Sequence, residues 1–102
     1  MNIPQNKYRL VVQIVTKRRN MTIKRISNMH DDEYYYKILR KNIRKYRTNK
    51  ELTQQELADM TGLSREYICD IENDSRNKHP TVSAIGRVAD ALEIEMGKFF
   101  QK

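Results

Sequence analysis

From residue 34 onward the apolar positions recur with a helical period. Leu39, Ile43 and Tyr46 stand at i, i+4 and i+7, one face of an amphipathic helix over about 34–48. The other face carries Lys37, Arg40, Lys41, Arg44 and Lys45. Asp31 or Asp32 can cap this helix, and acids in its first turn suit the positive end of the helix dipole. Thr53 followed by Glu56 has the spacing of a capping box and opens a second helix with Leu57, Ala58 and Met60, which Gly62 ends. Ser64 opens a third, whose inward positions are Ile68 and Ile71, with Tyr67 at the margin. Asn73 to Pro80 reads as a loop. Thr81 caps a fourth helix with the stripe Val82, Ile85, Val88, Ala89 and Leu92, and Ile94, Met96, Phe99 and Phe100 form a short fifth that closes the core. Five short-linked helices in about 70 residues predict an all-α bundle.

Before residue 30 the pattern changes. "YRLVVQIV" and "MTIKRI" are rich in β-branched residues, with the polar "TKRRN" between them, which predicts a β-hairpin. A lone two-stranded ribbon is marginal in water, so the alternative is a flexible basic extension. The expected organisation is an N-terminal extension over 1–30 and one helical domain over 31–102.

Charge sharpens that boundary. The formal net charge is +7, and residues 1–30 hold Lys7, Arg9, Lys17, Arg18, Arg19, Lys24 and Arg25 without a single acid. The remainder is formally neutral. A basic arm of this kind reads as a nucleic-acid contact or as a solvated leader. Met29 offers a second reading of the extension, since a compact domain could begin there. At 102 residues a second full domain does not fit. The single cysteine, Cys69, excludes an intrachain disulfide, and no metal-ligand spacing, phosphate-binding glycine loop or nucleophile–base arrangement is present. His30 and His79 are lone and far apart. No cofactor, metal or enzymatic activity is expected. The apolar run at 10–15 is too short to cross a bilayer, so the expectation is a soluble protein of a reducing cytoplasm with no membrane partner.

The stretch "LTQQELADMTGLSREYICDIEND" carries a resemblance. The small Ala58, the turn Gly62 and the apolar Leu57, Leu63, Ile68 and Ile71 stand where the Cro/C1-type (XRE family) helix-turn-helix regulators place such residues, and "PTVSAIGRVADALEIEMGKFF" extends the match to Phe100. The chain thus resembles that family from about Leu39 onward. The resemblance implies a five-helix lambda-repressor-like domain that binds double-stranded DNA as a homodimer, with the third helix in the major groove. It implies that Arg65, Glu66, Tyr67, Asp70 and Asn73 face bases. It places Gln54, Ser64, Arg76, Asn77 and Lys78 on phosphates, and pairs Arg47 with Glu72 as a structural ion pair. In "ENDSRNKHP" this sequence departs from the family pattern: Asp74 stands where glycine is frequent, and the loop is longer.

Glu66 and Asp70 pose a question, because by helical spacing both face outward on a helix expected to meet a polyanion. A carboxylate can accept from a cytosine amino group while Arg65 grips a guanine, and acids penalise non-specific binding. The alternative is a solvated face or a surface for a basic partner. Two functional classes follow: a sequence-specific transcriptional regulator, expected to be a dimeric repressor on a palindrome and including the controllers of restriction–modification systems, or an antitoxin or immunity-type module that binds a protein partner and autoregulates its own operon.

Overall fold

The computed structural model describes residues 12–17, 20–25 and 29–102. The chain divides into two units, Met1–Asp31 and Asp32–Lys102. In the first, strands β1 (Val12–Lys17) and β2 (Asn20–Arg25) pair antiparallel, with Ile14 opposite Ile23 and Lys17 opposite Asn20. Pairing therefore runs into the polar stretch expected to turn, because ladder hydrogen bonds come from the backbone and do not require apolar side chains. The expected hairpin ends at Tyr8–Val11 and at Ile26 lie outside the described residues.

The second unit is helical: α1 (Asp32–Asn49), α2 (Gln54–Thr61), α3 (Arg65–Glu72) and α4 (Val82–Leu92). Helix α1 starts two residues earlier than its apolar pattern indicates, placing Asp32 and Glu33 in the first turn, where negative charge is stabilised. At α2 the capping box is complete: the Glu56 amide donates to the Thr53 hydroxyl at 3.0 Å and the Thr53 amide to the Glu56 carboxylate at 2.8 Å. Gly62 ends α2 at φ +76°, a left-handed conformation that a Cβ makes costly, and its amide donates to the Ala58 carbonyl. Ser64 and Thr81 cap α3 and α4 by accepting from the Tyr67 and Ala84 amides. The expected fifth helix is a five-residue 3-10 turn, Met96–Phe100, flanked by i→i−3 bonds from Lys98 to Glu95 and from Gln101 to Lys98. A second short turn, Asp74–Arg76, interrupts the loop after α3.

Leu39, Ile43, Leu57, Ala58, Ile68, Ile71, Ile85, Val88, Ala89, Leu92 and Phe99 make one core, with Tyr36, Tyr46, Leu63 and Phe100 packed at its edge. Val82 is the exception to the expected stripe. As the first residue of α4 it is 72% exposed, ahead of the point where the helix meets the core. Arg40 is the opposite exception: expected on the solvated face of α1, it is only 1% exposed.

Asn42, also buried, holds the C-terminal turn to α1. Its Nδ2 donates to the carbonyls of Phe99 at 2.8 Å and Gln101 at 2.7 Å. Removing that amide strands two acceptors, one of them buried, and each unmade bond costs on the order of 1 kcal/mol or more. Asn42→Ala is expected to lower the unfolding free energy by about 2 kcal/mol in a urea titration, whereas an exposed α1 change such as Lys41→Ala stays within about 0.5 kcal/mol.

Candidate nucleic-acid interface

Helix α3 ends on an ion pair. The Arg47 guanidinium donates from Nε to Glu72 Oε2 at 2.7 Å and from Nη2 to Glu72 Oε1 at 2.8 Å, while its Nη1 donates to the Leu52 carbonyl at 2.7 Å. The Glu72 side chain is 3% exposed. This bidentate bonding outweighs burial and raises the Arg47 pKa, so the cation is held charged. Gln54, the first residue of α2, donates to the same carboxylate at 3.2 Å. Its amide nitrogen therefore has a partner inside the protein.

At the other end of α3 the side chains are open. Arg65 and Glu66 are exposed, and Glu66 forms no salt bridge among the described residues. The Ser64 hydroxyl accepts from the Tyr67 amide at 2.9 Å, which leaves its own proton free to donate outward. Cys69 is half-buried on the flank. A shallow groove beside it is walled by Arg44, Gln54, Glu72 and Asn73, which brings the exposed Arg44 of α1 to the edge of α2 and α3. Sequence reading placed Arg44 on a solvated face and did not connect it with this edge.

The remaining candidates belong to the loop as much as to the helix. Asp70 is half-buried with its Oδ1 3.7 Å from Arg76 Nε. Lys78 places its ammonium 4.9 Å from the centroid of the Tyr67 ring. Asn73 Oδ1 accepts from both the amide and the hydroxyl of Ser75, capping the Asp74–Arg76 turn, and Asn77 closes that turn at φ +54°. Thus Tyr67 with Lys78 and Asp70 with Arg76 tie α3 to the loop at two points, Asn73 caps the turn that follows the helix, and Arg65 and Glu66 stand at the open end of α3.

Behind the loop lies Arg40. Its Nη1 is paired with Glu33 and sits 3.3 Å from Asp74 Oδ1, and its Nη2 donates to the Lys78 carbonyl at 3.3 Å. Burial acts to lower its pKa, but the two carboxylates more than offset that and hold it charged. His79 stacks flat on Tyr36 with centroids 3.9 Å apart and brings Nε2 to 3.7 Å from Glu33. The hydrogen bond from Arg40 in turn holds the Glu33 carboxyl below the usual carboxylate range. Tyr36 packs against the core, while its neighbours Tyr34 and Tyr35 meet edge to face. No group of three potential metal ligands exists among the described residues, and no helix there is long and apolar enough to cross a membrane.

The arrangement is a helix-turn-helix, with α2 and α3 joined through Gly62. The Helix-turn-helix family HTH_3 matches residues 43–99, more than half of the chain, and the chain belongs to that family. The control protein C.SmaI of Serratia marcescens is 37% identical over 65 residues, spanning 64% of this chain and 75% of that protein. An immunity repressor protein of Bacillus phage phi105 is 43% identical over 54 residues, 53% of this chain but only 36% of the repressor. The crystal structure of the restriction-modification controller protein C.AhdI from Aeromonas hydrophila superposes with a TM-score of 0.60 at 31% identity, over 64% of this chain and 96% of that one. The chain is a DNA-binding transcriptional regulator of this family, not an enzyme.

Two expectations follow from these contacts. Glu72→Ala leaves a buried guanidinium without its carboxylate, a loss on the order of 3 kcal/mol. The thermal midpoint is expected to fall by more than about 10 °C for a domain of this size, as read by calorimetry. For Glu33 the folded pKa lies below the ordinary one, so its contribution is complete above the ordinary carboxylate range and is lost as pH falls through the folded value. Acid titration of stability is expected to be shallower in Glu33→Gln than in the parent chain across that window, and identical curves would remove the pair from the account.

Proposed function

We propose that the chain is a dimeric repressor that reads a palindromic operator, with α3 in the major groove of each half-site and half-sites about one helical turn apart. Residues 31–102 are the reading domain and residues 1–30 a basic extension along neighbouring phosphates. Arg65, Glu66, Tyr67, Asp70 and Asn73 form the base-facing set, with the exposed Arg65 and Glu66 at its open end and the other three shared with the loop. Gln54, Ser64, Arg76, Asn77 and Lys78 hold phosphates, Ser64 through its free hydroxyl proton and Gln54 through the backbone end of α2 as well as its side chain. The exposed Arg44 joins them at the groove edge.

One observation carries this reading: the open N-terminal end of α3 presents an exposed arginine and an exposed acid, while the other end of the helix is bolted to α1 through Arg47. A reading helix needs that combination of free side chains and fixed backbone. The gene setting we favour is control of a restriction–modification system, because C.AhdI is a controller of that kind and matches over nearly its whole length.

Fluorescence anisotropy against the DNA upstream of the gene and a scrambled duplex tests the reading across a salt series. The upstream duplex is expected to bind more tightly, and Arg65→Ala to lose roughly 5- to 150-fold on it, the equivalent of one bidentate base contact. On scrambled DNA the same variant should change far less. Equal losses on both duplexes would place Arg65 on the backbone, and a parent chain that fails to separate the duplexes would remove that DNA as the operator.

A further inference from the structure

The loop between α3 and α4 carries Arg76, Asn77 and Lys78, and its local bonds, the Asn73 cap and the left-handed Asn77, shape the turn at Asp74–Arg76 but do not tie it to the rest of the domain. Contacts from two sides do that. On the α3 side Asp70 faces Arg76 at 3.7 Å and the Tyr67 ring lies under Lys78. On the α1 side Arg40 reaches both ends of the arc at once, touching Asp74 where the 3-10 turn begins and the Lys78 carbonyl where the arc returns. Flat stacking of His79 on Tyr36 and the burial of Pro80 secure the exit.

Stability alone is a poor reason for this arrangement. Burying a guanidinium carries a large desolvation cost, and an apolar residue of similar size is often as stabilising. Arg40 does not even complete its bonding, since its Nε finds no acceptor. What a planar cation offers that a leucine does not is a set of directed bonds to partners far apart in sequence. Here one partner, Glu33, belongs to α1 itself, and the other two are the two ends of one loop.

We infer that Arg40 is a positioning residue for DNA binding: by cross-linking Asp74 to the Lys78 backbone it holds Arg76, Asn77 and Lys78 in a phosphate-ready arc while itself touching no DNA. The inference rests on the proposed phosphate role of the loop. A preformed arc spares the ordering entropy that a free loop pays on binding. Opening the latch therefore weakens binding to any duplex and removes phosphate contacts from the salt dependence.

Asp74→Ala, which removes the carboxylate that accepts from Arg40, is the decisive variant because charge and latch predict opposite signs. The Asp74 side chain is 62% exposed, so its replacement spares the core. It also makes the protein one charge more positive, which by bulk electrostatics tightens DNA binding. The latch predicts the reverse: binding to upstream and scrambled duplexes at least about threefold weaker, with the salt slope reduced by about one. Arg40→Met should act in the same direction, and faster hydrogen exchange at residues 75–79 in the DNA-free protein, with the α1 and α4 amides unchanged, reports the opened loop directly. The double variant Arg76→Ala with Lys78→Ala separates the two ideas. If that variant lowers the salt slope while Asp74→Ala binds as tightly as the parent or more so, the latch is overturned and the loop's phosphate role stands. If the double variant leaves affinity and slope unchanged, the phosphate role fails and the positioning role falls with it.

Discussion

The Arg47 guanidinium bonds twice to Glu72 and once to the Leu52 carbonyl, and Gln54 adds a third donor to the same carboxylate. The last turn of α1, the connection into α2 and the end of α3 meet at this point, the cation holding Leu52 and Glu72 and the carboxylate holding Gln54. Helix α3 needs the anchor because its own apolar contribution is small: in eight residues only Ile68 and Ile71 are fully buried. Two isoleucines set how deep the helix sits but leave its roll about the axis poorly defined. A bidentate pair accepts one orientation, and a helix that must present chosen side chains to base edges depends on that orientation.

Helix α1 repeats the device one heptad earlier. Arg40 and Arg47 are seven residues apart, and Ile43 lies between them at helical spacing, so the stripe Tyr36, Arg40, Ile43, Arg47 runs along one side of the apolar face. One arginine takes α3 and the other takes the loop that follows it. The two elements of the proposed DNA-facing patch are thus referred to the same rigid helix, and drift of the loop relative to α3 breaks the contacts of Arg40 with Asp74 and with the Lys78 carbonyl.

Much of this frame was legible from the sequence because its determinants are local. The capping box at Thr53 and Glu56, the left-handed Gly62 and the Ser64 and Thr81 caps are each set by residues within four positions of one another. Arg40 and Asn42 were not legible in the same way. Apart from Glu33, seven residues before Arg40, their partners lie 34 to 59 residues away, and an arginine among Lys37, Lys41 and Arg44 looks like one more solvated charge. The available signal was its place between Tyr36 and Ile43, on the stripe that ends at Arg47. Val82 failed for a different reason: a period says which face a residue occupies, not whether the helix has yet reached the core at that point.

The acids of α3 show how the frame shapes recognition. Glu72 is buried in its pair and Asp70 faces Arg76, which leaves Glu66 as the α3 carboxylate exposed without an ion-pair partner among the described residues. Glu66 lies in the first turn, where the helix dipole stabilises a negative charge, and Arg65 is its neighbour in sequence. Beyond about a Debye length of 10 Å the two charges largely cancel, so approach to a polyanion is not opposed. At hydrogen-bonding distance they no longer cancel, because a guanidinium and a carboxylate demand different base edges. On the proposed docking the acid therefore acts as a filter at contact and not as a barrier at a distance, and a duplex whose bases do not match meets an unpaired carboxylate where the correct one offers a donor.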